Sequence, residues 1–230
     1  MLNAGGARCV VACASSVAAL VCAAVSTFAQ PIQVGVLRHM HQPRYVPGQT
    51  IFGADSAFSF SVVDVHNQRT GPYTTWTRNA VASGQSLPHL GAHVSFSGSL
   101  IQNLNELENA GVNGGQWNNW DGAYRSGQAM LTQAGNRRLD MVNFGFHHPL
   151  MALIDARSIR LQIRAHKQLA GSTLNAGSGV GLFPPETAFS TRMIPALEAE
   201  GIDWVMVGSI RFARACVGYP HTAATGIPAP

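Results

Sequence analysis

Lysine is almost absent from this chain. Of its 15 basic residues only Lys167 is a lysine, and charged residues of either sign make up 11% of 230. The net charge of +4 is scattered, and no basic run exists to form the electrostatic footprint of a nucleic-acid-binding protein. Cysteine is scarce where it would matter. Cys9, Cys13 and Cys22 crowd the N-terminus, so Cys216 is alone in the rest of the chain and residues 30–230 can form no internal disulfide. Cys216 also lacks any neighbouring motif that would make it a nucleophile. No 20–50-residue repeat, heptad pattern or low-complexity linker is present, which excludes solenoids, coiled coils and tandem arrays. What remains is 46% hydrophobic, enough for a folded core, at a length a little short of an α/β barrel.

The first 29 residues differ from all that follow. Arg8 is their single charge, an apolar stretch runs from Val10 to Val25, and Thr27 and Ala29 put small residues at positions −3 and −1 before Gln30. This is the layout of a secretory signal peptide over 1–29. The competing reading is an uncleaved anchor, since Val10–Ala29 just spans a bilayer, but Ser15, Ser16, Ser26 and Thr27 dilute it. Cys22 follows Val21, where a lipid-modified signal would need a small residue. The expectation is an exported protein, periplasmic or secreted, with no stable membrane association after cleavage.

From there the pattern alternates strands and helices. Ile32–Leu37, Ala92–Phe96, Leu139–Phe146, Val180–Phe183 and Trp204–Val207 read as strands. Helices are expected after Ser99, where Gln102 completes a capping box and Leu100, Leu104 and Leu107 share a face, and after Asp155, where Ile159, Ile163 and His166 do, before Gly171. A third spans Ile194–Glu200. Strands separated by crossover helices imply a parallel sheet and an α/β fold. Polar residues then recur just past strand ends: His39 and His41, Ser97 and Ser99, His147 and His148, and Glu186. In parallel α/β sheets that edge is where ligands bind. The segment Arg44–Leu90 shows no sustained period and reads as a long loop covering the site.

Glu186 follows two prolines, which stiffen the backbone beneath a carboxylate suited to act as nucleophile or base, or simply to face a helix N-terminus. His39 and His41 suit either metal ligation or hydrogen bonding to sugar hydroxyls. Trp117 and Trp120 could form a stacking platform for a sugar or a staple within a loop. His89 and His93 are expected to pack or cap.

His39-Met40-His41-Gln42-Pro43 resembles the HxHQP motif of glycoside hydrolase family 57. Gly145-Phe146-His147-His148-Pro149-Leu150 resembles that family's second region, and Gly181–Ser190, with Pro184-Pro185-Glu186, its third. Val94–Glu108 reads like the stretch between them, and the likeness runs from about Val34 to about Ala215. The resemblance implies a (β/α)7 barrel and a retaining enzyme acting on α-glycosidic bonds of α-glucans, with no metal and no cofactor. It makes Glu186 the catalytic nucleophile and places His39, His41 and His147 in the substrate site with Gln42 and His148 as neighbours. The implied partner is an oligo- or polysaccharide; it sets no oligomeric state.

That mechanism also requires an acid/base carboxyl about 5 to 5.5 Å from the nucleophile. After Glu186 the acids are Glu198, Glu200 and Asp203, on a helix or at the wrong end of a strand. Asp55, Asp64 and Asp121 are the loop acids that could substitute, and none matches the family motif. Five strands are found where such a barrel needs seven. The expectation is therefore that residues 30–230 are the N-terminal portion of an incomplete (β/α)7-type barrel, truncated at its C-terminus and inactive alone. Two alternatives stand beside it: a metal-dependent deacetylase or amidohydrolase using His39 and His41, and a non-catalytic carbohydrate-binding remnant.

Overall fold

The computed structural model describes residues 34–177 and 179–209. Residues 1–29, where the sequence suggests a signal peptide, and Cys216 lie outside them. In chain order the elements are β1 (Leu37–Met40), four short helices α1 (Ile51–Asp55), α2 (Val62–Asn67), α3 (Thr70–Thr74) and α4 (Trp76–Ser83), then β2 (Ala92–Phe96) and α5 (Gly98–Asn109). A distorted turn α6 (Val112–Gly115) and α7 (Gly122–Gly127) lead to β3 (Leu139–Met141) and β4 (Asn143–Phe144). The chain continues through α8 (Ala156–Leu174), β5 (Gly181–Phe183), α9 (Ile194–Glu198) and β6 (Trp204–Val205).

All strand pairs are parallel, in the orders β1-β2-β3 and β4-β5-β6. Only Val142 separates β3 from β4, and its N–H donates to Val94 O at 2.8 Å, so the two groups follow one another along β2. The expected α/β class with parallel βα units is what the structure shows, and the described strands do not close into a barrel. No helix among the described residues is long and apolar enough to cross a membrane.

Several boundaries differ from the sequence pattern. β1 starts at Leu37 and runs through His39 and Met40, because pairing of His39 with Ser95 and Met40 with Phe96 draws the polar residues into the ladder. The expected strand Leu139–Phe146 breaks at Val142 and ends at Phe144. Helix α5 is capped by Ser97, whose Oγ accepts Leu100 N–H at 3.2 Å, two residues ahead of the expected cap. Helix α8 runs through Gly171 and stops at Asn175, which takes the left-handed conformation. The returning chain passes Gly171 in ordinary contact, with Gly177 Cα 3.5 Å from where a Cβ would sit. The segment read as a loop, 44–90, holds four helices. Thr50 and Ser61 cap the first two through Gly53 N–H and Asp64 N–H, but helices of five to eight residues are too short to show a period.

The core lies in two clusters. One gathers Val94, Phe96, Leu100, Leu104, Trp117, Trp120 and Tyr124 between β2, α5 and α7; the other gathers Ile159, Ile163, Leu182, Met193 and Leu197 between α8, β5 and α9. Trp117 and Trp120 are buried, their indole N–H groups donating to Asn67 Oδ1 and Asn105 Oδ1 at 3.0 and 3.1 Å. They staple the 112–121 segment to α2 and α5, so the stacking-platform reading is corrected. His166 is buried as its apolar face suggested: Nε2 donates to Phe96 O at 2.7 Å, and burial pushes its pKa down to about 4. It joins α8 to the C-terminal end of β2 as a neutral ring.

Candidate active site

The register of β1 and β2 brings the first polar pair together. His39 lies opposite Ser95, with Nδ1 2.9 Å from Ser95 Oγ, and His41 repeats the arrangement one step on, with Nδ1 2.9 Å from Ser97 Oγ. Successive side chains on a strand alternate faces, so 39 and 41 share one face, and their rings stack 6.2 Å apart. Phe144 and Phe183, at the ends of β4 and β5, each meet the His39 ring at 4.9 Å and form an apolar wall beside it.

His148 enters this group from the turn after β4. Its ring stacks on His41 at 4.0 Å, and Nε2 lies 3.7 Å from Glu186 Oε1. Both residues of that pair hold left-handed backbone, His148 at φ 59° and Glu186 at φ 57°, with Thr187 next to it at 51°. Such conformations cost L-residues about 1 kcal/mol or more and persist only where the surroundings impose them. Here Pro184 and Pro185 fix the approach, and Thr187 N–H and Ala188 N–H close on the carbonyls of Pro184 and Pro185 at 2.9 and 3.1 Å. The Glu186 side chain stands out from the sheet edge, 70% exposed.

His147 faces the other way. Its Nδ1 is 3.2 Å from Ser99 Oγ, its ring sits edge-on to Phe146, and its backbone N–H donates to Gln162 Oε1. It lines a groove of about 600 Å³ with Pro43, Arg44, Pro47, Gly48, Ser99 and Gln102. The structure thus joins His39, His41, His148 and Glu186, and sets His147 on an adjoining wall.

Gln42 is held from both ends: its Nε2 donates to Tyr73 Oη at 3.3 Å and its Oε1 accepts from Tyr45 Oη at 2.6 Å. The following residues are locked to α5. Arg44 reaches Asn103 Oδ1 and Glu106 Oε1 at 2.9 and 2.8 Å, and Asn103 Nδ2 donates to Pro43 O. Tyr45, Tyr73 and Ser95 are absent from the sequence-based site. The position of Ser95 was readable in principle, since Ser95-x-Ser97 matches His39-x-His41 in a parallel pair, but only once the register is known.

His39 and His41 are neutral at physiological pH. Burial, helped by His148, pushes His39 to about 4; burial, His148 and His39 do the same to His41. Burial and Arg44 lower His147 as well. Neutral stacked rings, each with Nδ1 taken by serine, suit hydrogen bonding to a neutral polar ligand. Among the described residues no three His, Cys, Asp or Glu side chains converge as ligands of one ion.

The three expected loop acids and Glu200 are engaged elsewhere. Asp55 and Asp64 lie in α1 and α2 rather than in loops, accepting from Val63 N–H and Asn67 Nδ2. Asp121 pairs with Arg125, and Glu200 is clamped by Arg160 and Arg164 at 2.7 Å each.

Comparison with known proteins decides the family. Residues 36–224 match the profile of glycosyl hydrolase family 57. The chain belongs to glycosyl hydrolase family 57. An α-amylase of Niallia circulans is 30% identical over 186 residues, which are 77% of this chain and 14% of that protein. The crystal structure of the 4-α-glucanotransferase of Thermococcus litoralis shares the fold, with a TM-score of 0.53 at 20% identity over 80% of this chain and 23% of that one. The chain thus spans under a quarter of the length of either relative. The family match takes in β1 through β6, and with them every residue of the His–Glu cluster.

Proposed function

We propose that this chain carries the nucleophile half of a retaining α-glucan-active site, in which Glu186 forms the covalent glycosyl-enzyme. A carboxylate oxygen of Glu186 attacks the anomeric carbon, the glycosidic C–O bond breaks, and the leaving oxygen takes a proton from a general acid. Water then adds to the anomeric carbon and releases Glu186, giving its proton to that same group. A sugar acceptor in place of water gives transfer. His39 and His41 hydrogen-bond the sugar as neutral rings, with His147, Gln42 and His148 beside them. The single observation carrying this reading is the strained Glu186 set beside His148 at the rim of a sheet whose strands all point their C-termini toward it. The family membership and the α-amylase relative support α-glucans as substrate. The 1–29 segment supports export.

A fluorinated α-glucosyl fluoride tests the assignment. Fluoride leaves without protonation, so glycosylation of the nucleophile needs no general acid. The expected result is one glycosyl adduct on the peptide containing Glu186, absent from Glu186→Gln. An adduct on another residue, or no adduct on a folded protein, overturns the assignment.

A further inference from the structure

The hydroxyl protons of Ser95 and Ser97 have few places to go. Both serines are fully buried. Ser97 Oγ already accepts Leu100 N–H as the cap of α5, and its one other partner among the described residues is His41 Nδ1. Ser95 Oγ has His39 Nδ1 as its one partner among them. A hydroxyl brings a single proton, and a buried proton without an acceptor is strongly disfavoured. If the imidazoles donated from Nδ1, both serine protons would be stranded. If the serines donate, every group is satisfied.

We propose that Ser95 and Ser97 are positioning residues that donate to Nδ1 of His39 and His41, hold both rings in the Nε2–H form, and so present two fixed N–H donors to oxygen atoms of a bound sugar. The Nε2 atoms of both rings have no partner among the described residues, which leaves them for ligand. Because both rings are neutral near pH 7, the tautomer decides whether each is a donor or an acceptor there. Ser99 differs. Its hydroxyl can donate to Phe146 O at 3.3 Å and accept from His147 Nδ1, so His147 is free to present the opposite, accepting, nitrogen to the adjoining groove. The two walls of the site then differ in hydrogen-bond sense.

The tautomer assignment rests on the buried serines alone; its last step, the sugar, rests on the α-glucan reading. Two-bond nitrogen–proton NMR correlations of the full chain with isotope-labelled histidine, at neutral pH, read both rings directly. The expected spectrum has unprotonated Nδ1 and protonated Nε2 for His39 and His41. In Ser95→Ala the His39 Nδ1 resonance moves toward the protonated range as the two forms mix, while His41 stays in place. Ser95 caps no helix, so this variant keeps the fold; Ser97→Thr keeps both hydroxyl and cap and leaves His41 as in the parent. Labelling of Glu186 by the glucosyl fluoride slows roughly tenfold in Ser95→Ala, the scale of losing one well-oriented hydrogen bond to the sugar. Protonated Nδ1 in the parent protein, or an unmoved His39 in Ser95→Ala, overturns the proposal. The expected tautomers without any labelling of the parent would sink the α-glucan reading and leave the serine assignment standing.

Discussion

Glu186 and His148 show what single residues can and cannot reveal in advance. Two prolines ahead of Glu186 make its stiffness legible, but the left-handed φ at 148 and 186 has no local signature, since neither position is Gly or Asn. That conformation turns His148 rather than His147 toward Glu186, a choice between adjacent histidines that composition and spacing leave open. His166 gives the residue-scale prediction. Buried and neutral, it titrates near 4 in the folded chain against about 6.5 when exposed. The unfolded chain therefore takes up the proton first as pH falls. The stabilisation is whole above pH 6.5, is lost as pH drops from there toward 4, and is flat below. Between pH 7 and pH 5 this ring alone costs about 2 kcal/mol of unfolding free energy, with His66, lowered by the same burial, adding in the same direction. His166→Gln keeps a donor for Phe96 O without titrating, so denaturant midpoints at the two pH values should converge by about that amount. An unchanged gap would mean His166 is not the neutral buried base described.

Elements were legible in proportion to their length and amphipathicity. Helix α8, with Ile159, Ile163 and His166 buried on one side, and α5, with Leu100, Leu104 and Leu107, follow from a 3.6-residue period. The strands were found by their apolar runs, and their ends misplaced, because ladder pairing rather than composition decides where β1 takes in His39. The segment 44–90 was opaque for a different reason: its order comes from long-range partners. Asn103 of α5 is the clearest of these. It is buried, donates to Pro43 O and to His66 Nε2 at 3.0 and 3.3 Å, and accepts from Arg44. Asn103→Ala leaves a carbonyl and a ring nitrogen unpartnered beneath the loop that carries Gln42. The expected loss is roughly 2 kcal/mol, with glucosyl fluoride labelling weakened as the loop loosens. Asn103→Asp, which keeps the acceptor for Arg44 but not the two donations, should recover little of it. A denaturant midpoint shifted by only the few tenths typical of surface changes would show that the loop is held by Arg44–Glu106 alone.

At the scale of the whole molecule, the placement of carboxylates governs what the chain can do. All 11 acids of the sequence lie between Asp55 and Asp203. Asp55, Asp64, Asp121 and Glu200 are held in helices or ion pairs by other partners. Asp140 faces His93 at the N-terminal side of the sheet, two residues in register before the His39–Ser95 pair and away from the rim that carries Glu186. Asp155 caps α8 through Ser158. Retention requires a second carboxyl within about 5 to 5.5 Å of the first, acting as acid and then as base. Without one, a leaving sugar must depart as an alkoxide, while fluoride departs unaided. The 230-residue chain is therefore expected to separate the two chemistries: adduct formation on Glu186 with the activated fluoride, and no release of reducing ends from maltooligosaccharides or starch. Reducing-sugar release abolished by Glu186→Gln would contradict this and would require one of the acids above to leave its present partner and approach the rim. The chain spans 14% of the length of its α-amylase relative, so a segment carrying a carboxyl from outside these residues is the complement to test. Adding such a segment, either fused or as a separate chain, should restore turnover of natural glucans without altering the rate at which the fluoride labels Glu186.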